Sequence, residues 1–226
     1  MLFVWIALYG VANLVPNLLQ GGLWLWGISA AAFDCVFLVW IIRTGRRKAA
    51  GLVPVDPSAE TVVKYLPVLA VFPLYNMICA WQLPRLNGGF WLHMFCVALT
   101  EEVVFRGFLL NRLRAPGTVR GILLTSLAFA LLHGLNVADA GADLYLLLQI
   151  LSSFAVSLCY CVVTLECGSI YPCIVAHFLT NITAAGSVEG FREMAGLLVC
   201  AAVSALWSLW RIRENRQNKR KNELCH

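Results

Sequence analysis

The sequence predicts an all-α integral membrane protein of about eight transmembrane helices in one bundle, and three observations carry that reading. Of the 226 residues, 60% are hydrophobic and only 13% charged, where soluble domains carry about a quarter. Apolar stretches close to or above about 18 residues recur along the chain, long enough at the helical rise to cross a hydrocarbon layer of about 30 Å. Lys and Arg fall on alternate loops, the pattern left when basic residues stay cytoplasmic. A mean hydropathy of +0.77 agrees with all three.

The stretches are 2–20, 23–42, 62–82, 90–110, 121–136, 144–164, 170–186 and 193–210. The fifth and seventh are short and each contains a His; helices that bury a polar site can be shorter or more polar than lipid-facing ones. Gly51 to Ala59, with Pro54 and Pro57, reads as the linker between the second and third. With the N-terminus inside, Arg43, Arg46, Arg47, Lys48 and Lys64 lie on the cytoplasmic side, as do Arg112, Arg114 and Arg120 after the fourth span and six basic residues of the tail. Only Arg85 and Arg192 fall on the other side, beside Asp139, Asp143, Glu189 and Glu193. Fourteen against two predicts eight spans in the cell membrane with both termini cytoplasmic. A cleaved signal peptide is not expected, because the apolar sequence around Ala30–Ala32 lacks a basic n-region and continues to Ile42.

The net charge of +5 is thereby a topology signal and an attraction to anionic headgroups. The basic tail has no aromatic interleaving and follows a span directly, so no nucleic acid partner is expected. The nine cysteines are scattered, mostly in apolar helices, without a metal-type CxxC pair; Cys159 and Cys161 point to different helix faces. Cys225 stands second from the end, where a prenylation box needs Cys fourth from the end.

Ionisable groups inside a span cost several kcal/mol unless paired or hydrated, which makes them candidates for a functional site. In TEEVVFRG, Glu102 and Arg106 are four apart and stack on one face as a potential ion pair, leaving Glu101, about 100° away, free to serve as a general base. FALLHG carries His133; GSIYPCIVAHFLTN carries His177 and Asn181, again four apart. Counted at about 1.5 Å per residue from the cytoplasmic ends, Glu101 lies about 14–16 Å deep, His133 about 18 Å, His177 about 10 Å and Asn181 about 16 Å, one layer in which four polar groups from three helices can meet. Asp34 has no visible partner motif, His93 falls at the outer end of its span, and Asn13, Asn17 and Asn76 read as interhelical hydrogen-bonding groups. GISA at 27–30 departs from the GxSG of a membrane serine protease, and neither GxGD nor HExxH occurs.

EEVVFR, FALLH and HFLTN, in this order, resemble the EExxxR, FxxxH and HxxxN motifs of the CAAX-protease and bacteriocin-processing membrane family. The resemblance covers about residues 90–185, and GSIYP is similar to the family's usual segment before that last helix. It implies a division into residues 1–89 with three helices, a catalytic core at 90–186, and a last helix with basic tail at 187–226. It also implies an intramembrane endopeptidase in which Glu101 activates a water, His133 helps hold and deprotonate it, His177 and Asn181 stabilise the oxyanion, and Glu102 with Arg106 supports them. The partners implied are a peptide or protein substrate at the membrane and the lipid bilayer; whether the substrate is prenylated stays open. No cofactor is favoured, Asn being a poor zinc ligand, although zinc held by two His and one Glu stays open. The alternative from another class is a non-catalytic channel, transporter or scaffold that uses the same polar cluster as an ion or proton path.

Overall fold

The computed structural model describes residues 2–55, 58–80, 87–134, 144–184 and 191–224. Arg85, Asp139, Asp143, Glu189 and Cys225 lie outside the described residues. Those described form helices α1 (Leu2–Leu18), α2 (Leu23–Arg43), α3 (Ala59–Ala80), α4, α5 (Thr118–His133), α6 (Leu144–Cys167), α7 (Tyr171–Ala184) and α8 (Phe191–Leu224), with no strand among them. Helix α4 runs as Gly88–Glu102, a π-helical stretch Val103–Leu109 and a last α turn Leu110–Leu113 without a break.

Each apolar stretch corresponds to one helix. By length and composition α2, α6 and Arg192–Asn218 of α8 are sufficient to cross a membrane; Val63–Ile78 and Thr118–His133 are apolar but shorter. The outward faces are apolar as well, with Leu8, Trp24, Val36, Leu66, Leu151 and Leu206 all exposed. Buried positions, in turn, include Asp34, Glu102, Arg106, Ser126 and Ser157. An apolar exterior around a partly polar interior suits a hydrocarbon solvent, where backbone groups are satisfied within helices and polar side chains turn inward.

Packing brings α2 along α4, and sets α6 between α5 and α8. Phe33, Phe37 and Ile41 of α2 form one core with Val103 and Val104 of the π stretch, closed from outside by Trp5 and Phe108. A second core joins Tyr65, Val68 and Leu69 of α3 to Tyr160 and Val163 of α6 and Ala176 of α7.

Three boundaries differ from the sequence reading. Helix α5 begins at Thr118 rather than 121 and has His133 as its last residue. Helix α8 does not stop near 210 but carries the tail to Leu224, because Arg, Glu, Gln and Lys are good helix formers once a helix precedes them. The chain after α2 is also no free linker: Ala50 is fully buried, Gly51 holds a left-handed φ of +71° and its carbonyl accepts from the Ile170 N–H at 3.1 Å. Gly107 permits this, since a Cβ there would strike the Ala50 backbone. The turn thereby wedges the π stretch of α4 against the start of α7 and sets the two site-bearing helices relative to each other.

Candidate active site

Helices α4 and α7 supply the centre. Arg106 Nη1 donates to Glu102 Oε1 at 3.0 Å, and both side chains are fully buried. His177 Nδ1 lies 2.9 Å from the same oxygen. Because an ionised carboxylate only accepts, Nδ1 is the donor in this contact. The ring therefore presents Nε2 to Glu101, whose Oε2 is 3.7 Å away. Exposure separates the adjacent carboxylates: Glu101 keeps 16% and Glu102 none, so Glu101 alone of the two can meet a water.

The π stretch begins directly after Glu102, and the Leu110 N–H reaches the Phe105 carbonyl five residues back. Such wide turns are rare and frequently occur at functional sites. Arg106 lies within this one.

Two aromatic residues without an assigned role complete the walls. The Arg106 guanidinium sits 4.1 Å from the Phe129 ring centre and 5.3 Å from that of Tyr160, a contact that stabilises a desolvated cation. Phe129 also stands 4.7 Å from the His133 ring and 6.1 Å from that of His177. His133 Nδ1 is 3.0 Å from the Phe129 carbonyl. A carbonyl can only accept, so Nδ1 carries the proton and Nε2 of the neutral ring is left as an acceptor. Phe129 is the first residue of FALLH and could have been found there; Tyr160 stands in the apolar run LCYCVV, which gives no such signal.

The structure thus brings Glu101, Glu102, Arg106 and His177 into one contiguous cluster and places both imidazoles beside Phe129. His133, His177 and Asn181 share a cavity of about 170 Å³ between α3, α5, α6, α7 and α8. Glu101 is not among its walls, both His177 nitrogens being turned toward α4. Among the described residues no three His, Cys, Asp or Glu side chains are arranged to hold a metal ion.

The candidates set aside fare differently. Asp34 is buried and accepts from Thr100, the residue before Glu101, tying α2 to α4. Asn76 donates to Thr183 Oγ1 at 3.2 Å across helices, and His93 packs edge-on to Trp26 at 5.4 Å.

Residues 84–183 match the family model described as "Type II CAAX prenyl endopeptidase Rce1-like". Over these residues the chain is similar to the CAAX-protease family. All six site residues fall inside the matched span, which ends before α8. No curated protein and no solved structure matches the chain.

Proposed function

We propose that the chain is an intramembrane endopeptidase that hydrolyses a peptide bond with a water activated by Glu101. The observation that carries this reading is the asymmetry of the glutamate pair. Glu102 is neutralised by Arg106 and holds His177; Glu101 keeps an accessible carboxylate beside the same imidazole. An amide offers no easy route to hydrolysis without a stronger nucleophile and a stabilised tetrahedral intermediate; in this reading Glu101 supplies the first and His177 with Asn181 the second.

In the proposed sequence, Glu101 takes a proton from the water as its oxygen attacks the carbonyl carbon, while His133 Nε2 accepts the water's second hydrogen and so orients it. The oxyanion that forms is stabilised by the Asn181 carboxamide and by His177. Glu102 holds that imidazole through Nδ1 and so fixes where its other nitrogen points. As the intermediate collapses, Glu101 returns its proton to the leaving amine. Arg106 engages Glu102 in an ion pair and so keeps it out of the proton transfers.

The same reading assigns eight spans to the helices, with both termini cytoplasmic, and places the catalytic core at 90–186 between an N-terminal three-helix unit and the last helix with its tail. The family description supports a peptide or protein substrate met at the membrane. A comparison of the peptides released from membranes carrying wild type and Glu101→Ala tests the proposal. Products present in the first and missing in the second support it; identical product sets overturn it.

A further inference from the structure

A second cavity, of about 180 Å³, lies where the start of α5, the end of α6 and the tail-bearing half of α8 meet. Its walls are apolar: Val119 and Ile122 from α5, Val162 and Leu165 from α6, and Ile212 from α8. A dry cavity of about 150 Å³ lined by such side chains takes up a small hydrocarbon, so this one has room for a stretch of acyl chain.

The rim is basic. Arg216 and Thr118 line the cavity, and both are exposed. The other polar members are engaged elsewhere. Glu166 is held by Arg211, Tyr65 and Lys64, and Asn215 donates to Glu166. Arg216 forms no ion pair among the described residues. Arg114, Arg120 and Arg213 are exposed nearby in the chain, and the Arg114 backbone packs against Gly121, the neighbour of Ile122.

These groups are ordered as an amphiphile is ordered. Leu209, Ile212 and Arg216 fall on one face of α8 at spacings of three and four, and run from an exposed Leu through the cavity wall to an exposed Arg. Trp210 is exposed beside Leu209, and an indole suits the boundary between hydrocarbon and headgroups. On α5, Ile122 and Thr118 repeat the order, four apart. A free phosphate would leave the apolar walls unused, and a neutral chain would leave Arg216 unused.

We infer that this cavity binds an anionic phospholipid, one acyl chain lying against Ile122, Val162 and Ile212 while the phosphate accepts from the Arg216 guanidinium and the Thr118 hydroxyl. A choline headgroup would bring its own cation among the arginines, whereas a headgroup with net negative charge gains from each of them. On the topology proposed above this end faces the cytoplasm. The lipid would join α5, α6 and α8 about 16 Å along α5 from His133, apart from Glu101 and His177 and independent of their chemistry.

Native mass spectrometry of the full-length protein released from detergent, titrated with dioleoylphosphatidylglycerol or dioleoylphosphatidylcholine, tests the site. Wild type should take its first phosphatidylglycerol about 10-fold more tightly than its first phosphatidylcholine. Arg216→Gln should bring the two within about 2-fold, the loss expected for one arginine near a headgroup. Val119→Trp, which fills the cavity from its rim, should weaken phosphatidylglycerol binding by a similar factor; if it fails to fold, Arg216→Gln still decides. Arg47→Gln, which removes an exposed charge from the turn after α2, should leave the preference unchanged. Excess glycerol 3-phosphate, a headgroup without chains, and farnesol, a chain without a phosphate, should each fail to displace the lipid. Equal binding of the two lipids, a preference that survives Arg216→Gln, one that falls equally in Arg47→Gln, or binding unmoved in folded Val119→Trp would overturn the inference. So would displacement by glycerol 3-phosphate, which marks a simple anion site, or by farnesol, which marks a hydrocarbon groove.

Discussion

Glu166 and Glu102 each draw an arginine and a second helix to themselves, but the two clusters differ in how fully their atoms are used. Glu166, near the end of α6, accepts from Arg211 Nε at 3.1 Å and Asn215 at 2.7 Å on one oxygen, and from Arg211 Nη2 at 2.8 Å and Tyr65 at 2.9 Å on the other. Lys64 adds an ion pair at 3.0 Å. Three helices, α3, α6 and α8, are thereby clamped through one saturated carboxylate. Glu102 directs both its contacts through Oε1, while its Oε2 and the Nε and Nη2 of Arg106 have no hydrogen-bond partner among the described residues. A saturated network specifies structure. A fully buried network with spare capacity is costly to keep, and groups held in such a state concentrate where chemistry uses them.

The difference can be broken or sharpened by mutation, beginning with the largest effect. Arg106→Met should lower stability by about 3–5 kcal/mol, because it strands a fully buried carboxylate. Glu102→Gln should do the same to Arg106, and the double variant should recover much of the loss. Unfolding midpoints in detergent would show this, and a wild-type midpoint for Arg106→Met would remove the case for a tense buried pair. Asn181→Ala should reduce kcat by about 10²–10³-fold with little change in KM, since an oxyanion donor acts mainly in the transition state; a change confined to KM would move Asn181 to substrate binding.

Smaller effects are expected at the clamp. Glu166→Gln should cost about 1.5–3 kcal/mol, the range for hydrogen bonds to a charged group, while single-turnover cleavage stays within a few-fold of wild type. Lys64→Met should cost under about 1 kcal/mol, because its side chain remains 35% exposed. If Lys64→Met proved as damaging as Glu166→Gln, the clamp would depend on that peripheral pair and not on Arg211.

The eight helices were legible because hydropathy over some 20 residues is a strong signal, and the motif residues because ionisable groups stand out in such runs. Residues whose partners lie far along the chain were not. Asp34 gave no sign of Thr100, 66 positions away, and Glu166 fell just past the predicted end of its span at 164. The π stretch was invisible for another reason: EEVVFRG carries a regular i, i+4 pair in either geometry, and the wider turn is set by packing, with Ala50 seated against Gly107. Phe129 was quoted as a motif residue without a role, since only the fold shows that its ring lies beside Arg106 and both imidazoles.

The central claim is that the accessible member of the glutamate pair does chemistry while the saturated glutamate holds the fold. Single-turnover peptide cleavage and thermal unfolding, measured on the same detergent-solubilised preparations of wild type, Glu101→Gln and Glu166→Gln, test it most directly. The account predicts that Glu101→Gln abolishes cleavage at an unchanged midpoint, whereas Glu166→Gln lowers the midpoint and still cleaves. A folded Glu101→Gln protein that cleaves at the wild-type rate would contradict it.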